Sequence, residues 1–283
     1  MNHDRPQRRR WIASPAIRAS LGLHLAAGAG LIARPAAWPL ALGVVAANHA
    51  VLAGAGLWPR SRLLGPNWTR LPASAAALGQ VAITIDDGPD PDATPPMLDA
   101  LARFGATATF FCIGERVARH PDLVRRIARA GHAIENHSDT HPHTFSLLGP
   151  AALDREVARA QTRIAAIGGT APAFFRAPAG LRNPLLEPVL ARHDLRLASW
   201  SRRGFDTMSP DPDRVFGRLT RGLCGGQILL LHDGHAARAA NGAPVGALVL
   251  PRLLDALRRR ALVPVTLRAA LEQERRRVLG DPG

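Results

Sequence analysis

The sequence predicts an α/β fold: a closed or nearly closed β/α barrel of about seven parallel strands, behind an N-terminal hydrophobic helical segment. Three observations predict it. From residue 81 onward, short apolar runs rich in β-branched and aromatic residues alternate with amphipathic stretches, and that alternation implies a parallel sheet. No Gly-rich phosphate turn interrupts the series. Polar clusters recur at the C-terminal ends of several predicted strands, where barrels of this kind carry their active sites.

The chain has 283 residues, 47% of them hydrophobic, enough for one large domain and an appendage. Its net charge is +14, and every basic residue is Arg. Such a surplus favours anionic partners, nucleic acid or an anionic membrane surface, although Arg in place of Lys equally reflects a GC-rich genome. Tyr is absent, aromatics are 5%, and no zinc-finger, RRM or basic-helix pattern occurs, so no nucleic-acid partner is expected. Two cysteines, Cys112 and Cys224, make no disulfide framework.

The N-terminal segment, residues 1–62, begins with a basic head of Arg5, Arg8, Arg9 and Arg10. An Ala/Leu/Gly-rich region runs from about Ile17 to Trp58. Arg18 and Arg34 bracket one apolar run, Arg34 and Arg60 a second. The first is short for a span of roughly 20 residues; flanking Arg side chains can extend it by snorkelling. The second is long enough and has Trp38 and Trp58 at its ends, as at a membrane interface. A two-helix membrane hairpin is the preferred reading. A cleaved signal peptide and a buried helical pair are the alternatives. In the hairpin reading Arg60, Arg62 and Arg70 join the basic head on one side, which the positive-inside rule makes cytoplasmic. That places the chain in a bacterial inner membrane with its catalytic part facing the cytoplasm. If one helix spans, the catalytic part lies outside.

Residues 63–78 are aperiodic and read as a linker; residues 79–275 form the catalytic domain. Val81–Ile85 is the first strand, ending in Asp86-Asp87-Gly88-Pro89. Thr94–Phe104 is an amphipathic helix with Met97, Leu98 and Leu101 on one face. Strands are expected at Ala106–Ile113, Gly131–Asn136, Phe174–Arg176, Leu195–Trp200, Gln227–Leu231 and Val263–Thr266. Helices are expected at His120–Ala130, Pro150–Ile167, Leu185–Arg192, Asp211–Gly222, Val249–Arg260 and Leu267–Arg277.

The strand ends carry chemistry. Adjacent strand residues point to opposite sides, so Asp86 and Asp87 can do different jobs, one holding a metal and the other handling a proton. His137 and His141 are four apart, and on one helical turn such a pair can face one ion. With Asp87 they make a His₂-carboxylate set, which in catalytic zinc sites leaves one position open for water. A divalent metal polarises that water and a substrate carbonyl together. Asp86 would then take the water's proton, and His232 would protonate a leaving amine from the opposite side. Arg176, at a strand end after Phe174-Phe175, would hold and orient Asp86, and Asp206 would fix Arg176. Asp139, His143 and Asp233 read as loop residues. The bland reading of Asp86-Asp87-Gly88-Pro89 is a solvated turn, and that of residues 137–143 a His-rich loop.

These residues together resemble the polysaccharide deacetylase family, the NodB-homology domain of carbohydrate esterase family 4, over roughly residues 79–270. The first motif matches Thr84-Ile85-Asp86-Asp87-Gly88-Pro89, the second His137-Ser138-Asp139-Thr140-His141, the third Arg176-Ala177-Pro178-Ala179-Gly180, and the fifth Leu230-Leu231-His232. Asn136 and the stretch Thr109-Phe110-Phe111 to Gly114 fit as well. The resemblance implies Asp86 as catalytic base, Asp87, His137 and His141 as metal ligands, Arg176 as orienter of the base and His232 as general acid. The fourth motif departs: in Trp200-Ser201-Arg202-Arg203-Gly204-Phe205-Asp206-Thr207, Arg203 replaces an acid and Thr207 a Trp. That departure bears on the substrate more than on the reaction.

What the resemblance implies is a distorted barrel, a divalent cofactor (usually zinc, with cobalt, nickel or manganese open) and hydrolysis of the N-acetyl group of an amino sugar. The substrate is a polysaccharide or a lipid-linked glycan. Alternatives are a deformylase or other deacylase of a lipid-linked sugar, and a non-catalytic glycan-binding barrel at the membrane. The oligomeric state stays open.

Overall fold

A computed structural model describes residues 9–280; Arg5 and Arg8 of the basic head lie outside that range. Two helices come first, α1 (Pro15–Ala33) and α2 (Trp38–Leu57), joined by a 3-10 turn at Pro35–Ala37. Ser14 caps α1, its hydroxyl accepting from the Ile17 amide, and Pro15 follows as the first helical residue. Both helices are long and apolar enough to cross a membrane. Their apolar side chains face outward: Leu25 is 76% exposed, Ile32 87% and Leu40 71%. The buried-pair alternative therefore fails. Polar groups sit between the two helices instead, with Asn48 donating to Ser20 Oγ at 2.8 Å and His24 Nε2 3.3 Å from His49 Nε2. The C-terminal end of α2 docks on the barrel, where Arg182 N donates to Gly56 O at 3.1 Å.

The barrel elements run α3 (Ala73–Ala77), β1 (Gln80–Asp86), α4 (Thr94–Arg103), β2 (Thr109–Cys112), α5 (Gly114–Arg119), α6 (Pro121–Arg129), β3 (Ala133–Asn136), α7 (Pro150–Gly168), β4 (Phe174–Phe175), α8 (Leu186–Arg192), β5 (Arg196–Leu197), β6 (Arg202–Arg203), α9 (Pro212–Thr220), β7 (Ile228–His232), α10 (Val245–Arg259), β8 (Val263–Pro264) and α11 (Leu267–Leu279). Seven parallel strands follow the order β5-β4-β3-β2-β1-β7-β6 in a curled half-barrel, and β8 pairs with the first residues of β1. The first strand is central. Val81, Ala82, Ile83 and Ile85 are all 0% exposed, because helices cover one face and the barrel interior the other. Its register sets Asp86 beside Phe111 on β2 and His232 on β7, so three chain segments bring polar or aromatic groups to one level.

Most expected elements are present with ends moved by a few residues. Four differences have physical causes. The predicted linker is packed: Trp68 bridges Ala198, Arg70 bridges Gln227, and Leu64, Leu71 and Ala75 are buried. It lies between the ends of β5 and β7, where no strand pairing closes the barrel. The fourth-motif stretch adds a strand, β6, paired with β7. Helix α5 follows β2 with Val117 as its fully buried anchor, too short for a periodic signal. Helix α10 begins one turn early, at Val245, since Val245 and Gly246 are buried against the sheet end.

Candidate active site

Asp86 is the last residue of β1, and its carboxylate is 3% exposed as a residue. Arg176, fully buried just beyond β4, donates from Nη1 to Asp86 Oδ1 at 2.6 Å and to Thr84 Oγ1 at 2.8 Å. Its other nitrogens donate to Ser199 O at 2.8 Å and Ala198 O at 3.3 Å. The guanidinium also lies 4.1 Å from the Phe111 ring centroid. With the fork spent on fixed oxygens and a ring beneath it, only one carboxylate geometry fits.

Asp87 leaves the strand in the left-handed region, at φ 76°. Its Oδ1 lies 3.2 Å from His137 Nε2 and 3.3 Å from His141 Nε2. One donor atom from each of the three lies within 4.8 Å of the others, a set able to hold a metal ion. Two imidazoles and a carboxylate suit zinc, cobalt, nickel or manganese by donor type. His137 Nδ1 donates to Arg176 O at 2.8 Å, which leaves Nε2 with its lone pair toward the cluster. Burial works to lower the His137 pKa, but the charge of Asp86 and the bond and charge of Asp87 outweigh it and push it up. Burial also works to raise Asp87, and hydrogen bonds from His137 and His235 hold it well below the usual carboxylate range. The two acids thus favour positive charge at this point. Burial, with His137 beside it, drops His141 to about 4, leaving it neutral as a ligand must be.

The histidines do not share a helical turn. Ser138 at φ 64° and His141 at φ 54° bend the segment into a loop. Asn136 braces it, accepting from Ser138 N at 2.9 Å while its amide donates to Val157 O. Glu156 of α7 accepts from the Asp139 and Thr140 amides at 3.0 and 2.9 Å.

Across the pocket, His232 ends β7. Asp206 accepts from its Nδ1 at 2.8 Å and from its backbone N at 2.7 Å. This corrects the expected partner: Asp206 grips His232 and makes no bond to Arg176. Burial opposes the imidazolium, yet the charge and hydrogen bond of Asp206 raise His232 to about 9. Asp86, Asp87, His137, His141 and His232 line a cavity of about 640 Å³ that also takes in Trp200, Leu230 and Arg203.

A family model described as polysaccharide deacetylase matches residues 76–198. A chitooligosaccharide deacetylase of Bradyrhizobium sp. (strain ANU 289) is 38% identical over 156 residues, 55% of this chain and 71% of the relative. The chain belongs to the polysaccharide deacetylase family. A peptidoglycan-N-acetylglucosamine deacetylase of Bacillus cereus is 34% identical over 175 residues, 61% of this chain and 81% of that one. The solved family 4 carbohydrate esterase from Streptomyces lividans, in complex with acetate, shares 35% identity at a TM-score of 0.59, covering 66% of this chain and 91% of that chain. This member of the polysaccharide deacetylase family is accordingly a hydrolase of carbon–nitrogen amide bonds.

Six residues in or beside this deacetylase-family site were not singled out by the sequence as site residues. Thr84 shares a strand face with Asp86, two residues on, and accepts from Arg176; that alternation was a usable signal. His235 Nδ1 lies 3.2 Å from Asp87 Oδ2, and Arg116 Nη2 lies 3.1 Å from His235 Nε2; no spacing pointed to either. Asp233, expected in a loop, is 2% exposed and accepts from Thr94 Oγ1 at 2.6 Å. Asp139, also expected in a loop, is 1% exposed and paired with Arg163 at 2.9 Å. His143 lines the cavity.

Proposed function

We propose that this chain hydrolyses the N-acetyl group of an amino sugar in a glycan, releasing acetate and a free amine, with a divalent ion held by Asp87, His137 and His141. The observation that carries this reading is the placement of the ligand set between two opposed pairs, Asp86 with Arg176 and His232 with Asp206. A divalent metal held there, zinc in this reading, would supply Lewis-acid polarisation of the acyl carbonyl and of water. Asp86, fixed by Arg176, takes the proton as water oxygen bonds to the acyl carbon. His232, held protonated by Asp206, gives the Nε2 proton to the sugar nitrogen as the C–N bond breaks. Acetate leaves, and the amine keeps the proton it received. The relatives named chitooligosaccharide deacetylase and peptidoglycan-N-acetylglucosamine deacetylase support an N-acetylated amino sugar as substrate.

In this reading residues 1–62 anchor the enzyme through two membrane-spanning helices, residues 79–275 carry the catalysis, and residues 63–78 fasten one to the other. The outward apolar faces of α1 and α2 support an anchor. The closing test is acetate release from N-acetylglucosamine oligomers by the purified full chain. Release that chelator abolishes and zinc restores is expected. Absence of release from any acylated amino sugar, oligomeric or lipid-linked, at full metal occupancy would leave a glycan-binding barrel instead.

A further inference from the structure

A second cavity, about 740 Å³, opens beside the first, between the end of α2 and the barrel. Arg60, Arg202, Arg203, Arg218 and Arg221 line it, with Trp58, and no acid does. Among the described residues none of these five guanidinium groups lies within salt-bridge distance of a carboxylate. Elsewhere Arg residues are paired with acids: Arg116 has Asp90, Arg163 has Asp139 and Arg268 has Glu135. Arg203 Nε is buried and has no hydrogen-bond partner.

Two of the five lie against aromatic rings, and Arg202 donates to Gly222 O at 3.2 Å. Arg203 lies 5.5 Å from the Trp200 centroid and 4.9 Å from that of Phe205, and Arg218 lies 5.3 Å from Phe205. Stacking on a ring face leaves the N–H edge of a guanidinium open to an anion. So many uncompensated cations facing one space repel each other, and a multiply charged oxyanion is the ligand class that relieves this. Phosphate oxygens match the Arg fork in two parallel bonds.

Position narrows the class further. Trp200 and Arg203 line both cavities, so a ligand can extend from one into the other. Trp58 and Arg60 follow the last turn of α2, whose apolar face is exposed, and Trp58 is 60% exposed. An aromatic and an Arg at that place belong to the headgroup level of a membrane. The cavity therefore lies where a lipid's phosphate would sit, and it shares Trp200 and Arg203 with the cavity in which an acyl amide would be cut. Arg203 occupies the fourth-motif position that departs from the family pattern. A neutral polymer gives it nothing to bind; a phosphorylated substrate does.

We propose that this cavity binds the phosphate of a lipid-linked amino sugar, so that the enzyme deacylates a membrane-held glycosyl phosphate whose sugar reaches the catalytic cavity. The proposal rests on the deacylation reading above. It assigns Arg60, Arg203, Arg218 and Arg221 as substrate-phosphate ligands.

The test uses the full chain, metal-loaded, in vesicles of neutral lipid. Two substrates are compared: a polyprenyl-phosphate N-acetylglucosamine and a short uncharged N-acetylglucosamine oligomer. In the double variant Arg218→Gln/Arg221→Gln, kcat/KM on the phosphate-linked sugar should fall on the order of tenfold or more beyond any fall on the oligomer, the worth of one lost charge-assisted bond. Equal falls on both substrates would overturn the assignment, and a thermal melt matching the parent's confirms that the fold is kept. Added polyprenyl phosphate should compete with the phosphate-linked substrate. Equal competition from phosphatidylglycerol would reduce the cavity to a general headgroup site, and equal competition from inorganic phosphate to a free-phosphate site; either overturns the proposal. Release from the oligomer but not from the lipid-linked sugar sinks this inference alone. Release from neither sinks the deacylation reading beneath it.

Discussion

On the β1 side of the pocket a buried cation, Arg176, grips an acid, Asp86; on the β7 side a buried acid, Asp206, grips a potential cation, His232. The two walls are mirror solutions to one problem. Each must keep a working side chain in a chosen charge state at a place with little water. Burial penalises the charged form on both sides. The partner on each side supplies an opposite charge and also fixes direction: Asp86 keeps Oδ2 toward the cavity, and His232 keeps Nε2 there, because Oδ1 and Nδ1 are taken. The difference shows why one wall suits proton removal and the other proton delivery.

The largest effect should come from separating the β1 wall from the metal ligand beside it. Asp86→Asn keeps the shape and the bond from Arg176 but cannot take a proton. Acetate release should drop by about 10²- to 10⁴-fold, with bound metal unchanged by elemental analysis. His137→Ala should lose the metal itself. Equal metal loss in both variants would show that Asp86 and Asp87 have been given each other's roles.

His232→Ala breaks the other wall and should cost roughly 10²-fold on an amide. The comparison sharpens when the leaving group is changed. An aryl acetate needs no proton on departure, so the His232→Ala deficit should shrink there while the Asp86→Asn deficit persists. A His232→Ala deficit of the same size on both substrates would remove the assignment of an acid to this wall.

Asp206→Asn tests the grip instead of the gripped group. With His232 held at about 9, the protonated form that donates is present below that pH and lost above it. Removing the Asp206 charge takes away the main force raising His232, so the alkaline limb of the pH–rate profile should slide down toward the ordinary His value of ~6.5. At about pH 8 that is a loss on the order of tenfold, with little loss near pH 6. A uniform loss at every pH would make Asp206 a packing residue.

The two walls were not equally legible in the sequence. Asp86, Asp87, His137, His141, Arg176 and His232 could be named because each ends a strand or opens the loop after one, and strand ends are written in apolar runs. The identity of their partners could not. Asp206 lies in a loop after β6, a strand of two residues, and nothing in Gly204-Phe205-Asp206 says whether it meets Arg176 or His232. A helical turn is one way for a pair four residues apart to face one ion, and positive φ at Ser138 and His141 brings this pair together by another path, which no spacing in the sequence announces. The packed role of residues 63–78 was hidden because pairing to Ala198 and Gln227 is long-range and leaves no period in the chain. The apolar hairpin was legible as such, since its composition is the same whether lipid or protein covers it; only the outward faces of α1 and α2 separate those cases.

The smallest effect belongs to a residue that touches neither wall's reacting atoms. Asp233 follows His232, is 2% exposed, and among the described residues has no cation within salt-bridge distance of its carboxylate, which accepts from Thr94 Oγ1 and Gly234 N. Burial first, and then the nearby charge of Asp87, push its pKa up to about 7 from an ordinary 3.8. Between those two values the folded chain holds a proton that the unfolded chain has released, so stability falls as pH rises from about 4 to about 7 and levels off above. Asp233→Asn is nearly isosteric, and its amide can donate to Thr94 Oγ1 where the carboxylate accepted. It should leave acetate release within a few-fold of the parent and flatten that slope. Urea midpoints of the metal-free parent and variant, taken across this pH window, read the difference directly. Parallel curves would mean that another buried acid, such as Glu135 or Glu187, carries the dependence, since burial raises both of those as well.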